Sequence, residues 1–216
     1  MLILLDLSAA FDTVSHTILL TRLRDIGIEG TALRWLQSYL TERSHFICLN
    51  NHSSAKASVT QGVPQGSVLG PLLFIIYILP LGQILRHFNL DFHCYADDTQ
   101  IYLSTKPLHN PPLTHIDSCL TAIKTWMQHN LLKLNSNQTE LLLIGSKSTL
   151  SKVTDITLTI DGSIVSPSNQ ARNLGVIFDP TLSLEPHIRQ TVKTSLFHLR
   201  NIAKILPSLT APQPND

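Results

Sequence analysis

Two carboxylates stand side by side in Tyr95-Ala96-Asp97-Asp98. Adjacent like charges destabilise each other unless a cation shares the space, so the pair points to a divalent metal. It suits an ordinary turn equally well, because Asp side chains bond their own backbone, and for an isolated pair of acids that reading is the more common. The flanking residues shift the balance. Residues 90–95 alternate apolar and polar positions, and residues 99–103 are rich in β-branched and aromatic types, so the acids lie where two strands connect. Hard oxygens on a rigid hairpin suit Mg²⁺, which keeps one or two protein carboxylates and completes its shell with water and phosphate.

A further carboxylate stands at Asp6, at the end of the apolar run Leu2-Ile3-Leu4-Leu5. Such a run reads as a buried strand that delivers its acid at the carboxyl end. Three carboxylates on two adjacent strands would hold two metal ions a few ångströms apart for in-line phosphoryl transfer.

The elements that must position these acids follow from pattern. Ser15 caps a helix through Leu19, Leu20, Leu23 and Ile26 that Gly27 closes, and a second helix after Thr31 carries Leu33, Leu36 and Leu40. Residues 45–49 and 55–60 flank Asn50-Asn51-His52 as a hairpin. The loop Gln61-Gly62-Val63-Pro64-Gln65-Gly66-Ser67 leads into a helix bearing Leu69, Leu72, Leu73 and Ile76. Pro111-Pro112 opens a helix with Ile116, Leu120, Ile123 and Met127 on one face. A strand over 139–144, a hairpin over 156–165 around Asp161-Gly162 and a strand over 173–178 follow. A helix from Leu184 then carries Arg189, Lys193, Arg200 and Lys204, and Pro207 ends it. Trp35 and Trp126 read as core residues.

Bulk properties exclude several classes. With 43% hydrophobic and 14% charged residues among 216, the chain has the composition of a folded domain. A net charge of +1 gives no global signature of nucleic-acid binding. Three cysteines are too few and too separated for a disulfide framework, and the ten histidines show no zinc-binding spacing. The apolar run over 68–79, broken by Gly70-Pro71 and stopped by Pro80, falls short of the ~18 residues of a membrane span. No secretion signal is evident at the N-terminus, and the sparse cysteines suit a reducing compartment.

Taken in order, Leu5-Asp6-Leu7-Ser8-Ala9-Ala10-Phe11-Asp12, then Gly62-Val63-Pro64-Gln65-Gly66-Ser67-Val68-Leu69-Gly70-Pro71, then Tyr95-Ala96-Asp97-Asp98 resemble motifs A, B and C of reverse transcriptases. The second stretch is similar to the non-LTR retrotransposon branch. Leu132-Lys133-Leu134-Asn135 with Thr139-Glu140, and Asn173-Leu174-Gly175-Val176, resemble that family's motif D and E regions.

The resemblance implies an α+β polymerase palm over residues 1–180, an antiparallel sheet with carboxylates on one face and helices on the other. It implies a partial thumb over 181–216 and a largely absent fingers region. It also implies RNA-directed DNA synthesis, with Asp6, Asp97, Asp98 and the Leu7 carbonyl holding two Mg²⁺, or Mn²⁺ in their place. Phe11 would be the steric gate beneath the nucleotide sugar, although spacing alone fits a core phenylalanine equally. Ala10, Gln65 and Gly66 would contact the incoming nucleotide and the nascent pair, with Ser67 free to act as a helix cap. Tyr95 and Ala96 would lie at the primer end. The partners implied are an RNA template, a DNA primer or nicked target DNA, and dNTPs.

One position departs from the family pattern: Gln138 stands where a lysine commonly precedes Thr-Glu. A lysine there can protonate departing pyrophosphate, and a neutral amide cannot. The alternative reading is an inactive remnant of such an element that at most binds nucleic acid.

Overall fold

A computed structural model describes residues 1–104, 113–153, 156–160 and 162–210. The chain opens with β1 (Leu2–Leu5), α1 (His16–Asp25) and α2 (Gly30–Leu40), followed by four short strands, β2 (Ser44–His45), β3 (Cys48–Leu49), β4 (His52–Ser53) and β5 (Ala57–Ser58). Next come α3 (Gly70–Ile78), α4 (Leu81–His87), β6 (Asp91–Tyr95), β7 (Asp98–Tyr102), α5 (Leu113–His129), β8 (Glu140–Leu142) and α6 (Lys147–Leu150). β9 (Leu158–Ile160), β10 (Ser163–Val165), β11 (Ala171–Asn173), β12 (Val176–Phe178) and α7 (Glu185–Thr210) complete it.

The central sheet has the order β6-β7-β1-β8, with every neighbouring pair antiparallel. β1 is interior and buried on both faces, which explains its unbroken apolar sequence. Side chains alternate along it. Ile3 and Leu5 join Ile101 and Leu141 in the main core with Leu19 and Leu23 of α1, Phe74 and Tyr77 of α3, Leu81 and Leu85 of α4, and Ile116 and Ile123 of α5. Leu2 and Leu4 face the opposite way, where they form a small cluster with Leu142, Ala171 and the partly buried Phe178 of β12. Helices cover one face and the β11–β12 hairpin covers part of the other.

Local chemistry sets the element ends. The Ser15 hydroxyl accepts from the Ile18 N–H, and Gly27 follows α1 with a φ of +88°. The apolar stretch Gly70–His87 is long and apolar enough by composition to cross a membrane. Here it divides at Leu79-Pro80 into α3 and α4, whose Phe74, Tyr77, Leu81 and Leu85 are fully buried.

The sequence did not anticipate α4 or the short α6. Residues 173–178 are not one strand, because Leu174 and Gly175, with φ of +45° and +84°, turn the chain between β11 and β12. The 45–60 hairpin exists as two short ladders, β2–β5 outside and β3–β4 inside, around Asn50 and Asn51, both at positive φ. α7 continues through Pro207 to Thr210, since a proline this close to a helix end removes a single hydrogen bond. Trp35 is 57% exposed because α2 lies at the surface and buries only Leu40 fully. Trp126 is partly buried against the core, with the Arg22 guanidinium 5.7 Å from its ring. Pro111-Pro112 and Asp161 lie outside the described residues.

Candidate functional site

Strand register brings the three acids to one end of the sheet. β1 pairs with β7 so that Leu5 lies opposite Thr99, and the next step along both chains sets Asp6 against Asp98. Tyr95 pairs with Asp98 across β6 and β7, which leaves Ala96 and Asp97 as the two residues of the turn. Ala96 has a φ of +53°, the left-handed conformation that a two-residue hairpin needs to match the twist of its strands. By the alternation along β1, Asp6 continues the row of Leu2 and Leu4, on the face away from the helices.

The acids act on one another. The Asp98 carboxyl is pushed above its ordinary range, first by burial and then by the negative charges of Asp97 and Asp6. All three side chains are half-buried. Hard oxygens that repel one another favour a cation among them, which fits a divalent metal. Among the described residues no three His, Cys, Asp or Glu side chains form a ready-made metal cage. A metal held here would therefore bridge acids presented by two strand ends and take its remaining ligands from water and substrate.

Asp6 is anchored from a distant part of the sequence. Asn135 Nδ2 donates to Asp6 Oδ2 at 3.0 Å, and the Asn135 backbone N–H donates to the Asp6 carbonyl at 2.9 Å. Ser8 N–H donates to the Lys133 carbonyl at 2.9 Å and Leu7 bridges Leu134, so the 133–135 segment is stitched alongside 6–8. The same Asn135 Nδ2 donates to Gln138 Oε1. The Thr139 hydroxyl donates to the Asn135 carbonyl at 3.0 Å.

The loop over 61–67 packs across the segment that follows β1. Gly62 N–H donates to the Val14 carbonyl at 2.7 Å and Val63 N–H to the Phe11 carbonyl at 2.8 Å. Gly62, at φ +88°, lies so close to that segment that a Cβ would come within 3.0 Å of the Asp12 carbonyl oxygen. Gln65 Nε2 donates to Asp12 Oδ1 at 3.2 Å. Gln65 and Gly66 are exposed, and Gly66 has open space around it. The Ser67 hydroxyl donates to the Pro64 carbonyl and accepts from Gly70 N–H at 3.0 Å, which meets a free donor at the start of α3. A cleft beside this loop is lined by Asp12, Arg43, His45, Gln61 and Gln65, apart from the three acids.

The remaining expected site residues divide by burial. Phe11 is half-buried and stacks on Phe74, with ring centroids 4.8 Å apart, so it packs on the core while keeping part of its ring in solvent. Tyr95 is 67% exposed beside the acids. Leu7 and Ala10 have buried side chains in the main core and offer only backbone to a ligand. Two further residues, Asn135 and Asp12, are tied to the expected site residues Asp6 and Gln65. Asn135 lay within the motif D resemblance, yet its tie to Asp6 spans 129 residues and no local pattern carries it. Gln65 and Asp12 are separated by 53.

Residues 1–178 match the family model "Reverse transcriptase (RNA-dependent DNA polymerase)". Over 211 residues the chain is 27% identical to a probable RNA-directed DNA polymerase from transposon BS of Drosophila melanogaster, which covers 94% of this chain and 23% of that protein. A probable RNA-directed DNA polymerase from transposon X-element of the same fly is 27% identical over 186 residues, 85% of this chain and 20% of that protein. The chain thus spans between a fifth and a quarter of the length of these relatives. The solved structure of apo telomerase from Candida tropicalis, truncated from its C-terminal domain, shares the fold with a TM-score of 0.55 at 13% identity, over 85% of this chain and 34% of that one. The chain belongs to the reverse transcriptase (RNA-dependent DNA polymerase) family.

Proposed function

We propose that residues 1–180 are the palm, and residues 181–216 part of the thumb, of an RNA-directed DNA polymerase that adds dNTPs to the 3′-hydroxyl of a DNA primer or nicked target DNA along an RNA template. The observation that carries this reading is the placement of Asp6, Asp97 and Asp98 at one end of the central sheet, where burial first and then the other two charges push the Asp98 carboxyl up. Reverse transcriptases use divalent metal ions. Two Mg²⁺, or Mn²⁺, held by Asp6, Asp97, Asp98 and the Leu7 carbonyl would favour the primer alkoxide and neutralise the triphosphate and its leaving pyrophosphate.

The chain's own residues supply position and selection. Phe11, braced by Phe74, sets its ring beneath the nucleotide sugar and leaves no room for a 2′-hydroxyl. Ala10 offers its backbone to the nucleotide. Gln65, held by Asp12, and Gly66, with no side chain, border the nascent base pair. Tyr95 and Ala96 lie at the primer end, where the small Ala96 leaves the 3′ nucleotide uncrowded.

Primer extension on an RNA template with dNTPs and Mg²⁺ tests this reading. Asp97→Asn is expected to lower the extension rate by about a thousandfold, roughly 4 kcal/mol of barrier, with an unchanged circular dichroism spectrum. Extension by the wild-type chain that survives Asp97→Asn, or equal use of rNTPs, would overturn the assignment. Retention of primed RNA without any extension would favour the remnant.

A further inference from the structure

Asn135 has two side-chain N–H groups and one acceptor, and the geometry uses its nitrogen twice. One bond goes to Asp6 Oδ2. A carboxylate only accepts, so the Asn135 amide must present nitrogen to it. The other goes to Gln138 Oε1, which fixes the same orientation from the opposite side. Gln138 is in turn held to the turn by its own N–H, which donates to the Asn135 carbonyl at 3.1 Å. The Asn135 backbone donates to the Asp6 carbonyl as well, so one residue sets both the main chain and the carboxylate of Asp6.

We propose that Asn135 is a positioning residue for the Asp6 carboxylate, with Gln138 locking its amide. This inference rests on the reading of Asp6 as a metal ligand. By occupying one position on Oδ2, Asn135 restrains the rotation of the carboxylate and leaves Oδ1 and a lone pair of Oδ2 available to a metal. Groups that orient a ligand in this way typically contribute 10- to 100-fold in metal affinity or activity. Gln138 thereby acquires a role independent of pyrophosphate. A lysine at that position supplies a proton donor but removes the acceptor that Asn135 uses.

Titration of the full 216-residue chain with Mn²⁺, read by electron paramagnetic resonance, tests the proposal without turnover. Asn135→Ala is expected to weaken Mn²⁺ binding at least about tenfold, with a thermal midpoint close to wild type. Gln138→Leu keeps the side-chain bulk and removes the acceptor; it is expected to weaken binding about threefold, within the range of a lost neutral hydrogen bond. It remains informative if Asn135→Ala fails to fold. Asp6→Asn serves as the reference. If Asp6→Asn weakens binding while both variants retain wild-type affinity, the positioning role is wrong and the metal site stands. If the wild-type chain binds no Mn²⁺, or Asp6→Asn changes nothing, both the metal site and the positioning role fail.

Discussion

The two faces of the central sheet are built from alternate residues of the same strands and do opposite things. On the helix side, Ile3, Leu5, Ile101 and Leu141 share one large core cluster with buried residues of four helices. On the other side, among the described residues, Leu2, Leu4 and Leu142 share a small apolar cluster with Ala171 and the partly buried Phe178. Past the edge of that cluster the row ends in Asp6, opposite Asp98. A fully covered face holds the fold, and a half-covered one can afford charges that repel each other. The same strand stabilises the main core through its odd residues, while its even row runs from the buried Leu2 and Leu4 to the half-buried Asp6.

Truncation on the helix side has the largest predicted effect. Phe74→Ala removes a fully buried ring and should cost about 3–5 kcal/mol, measured by urea unfolding. On the opposite face, Leu142→Ala also empties a fully buried site. Its cluster has only four buried members and can collapse, so about 2–3 kcal/mol is expected. Equal costs at the two positions would break the comparison.

The cover of the second face has a pH limit of its own. Asp179 follows β12, and its carboxylate accepts from the Thr181 hydroxyl, the Leu184 N–H, the Ser183 hydroxyl and the Thr181 N–H. These bonds, that of the Thr181 hydroxyl foremost, lower it from an ordinary 3.8 to about 2. The stability this carboxylate contributes is therefore fully present above about pH 4 and is lost as pH falls toward 2. Asp179→Asn should flatten the pH dependence of the thermal midpoint in that window and leave the slope above pH 5 unchanged.

The smallest predicted effect sharpens the contrast most. The charge of Asp98 is disfavoured first by burial and then by Asp97 and Asp6, so Asp98→Asn should raise the thermal midpoint at neutral pH, by no more than about 2 °C because solvent still screens a half-buried group. Primer extension should fall in the same variant. A site residue whose removal stabilises the fold is the expected signature of the charged face; destabilisation would place Asp98 with the structural residues.

Much of this was legible because the signals are local. The Ser15 cap, the buried stripe of Ile116, Leu120, Ile123 and Met127, and the β6–β7 hairpin with acids at its turn each depend on residues a few positions apart. α4 was hidden because Pro80 reads as a stop while also being able to begin a helix, as it does before Leu81. Leu174-Gly175 was hidden because a two-residue turn inside an apolar run leaves only one glycine as its mark.

By itself the sequence determined the strands that end in Asp6 and Asp98, the order of the motifs and hence the family, since periodicity and motif order are properties of the chain as written. Tertiary structure alone decided which face the acids share, that Phe11 leans on Phe74, and that Asn135 and Gln138 hold Asp6. Those contacts join residues as many as 129 positions apart, and only packing chooses among the many pairs that side-chain chemistry would allow.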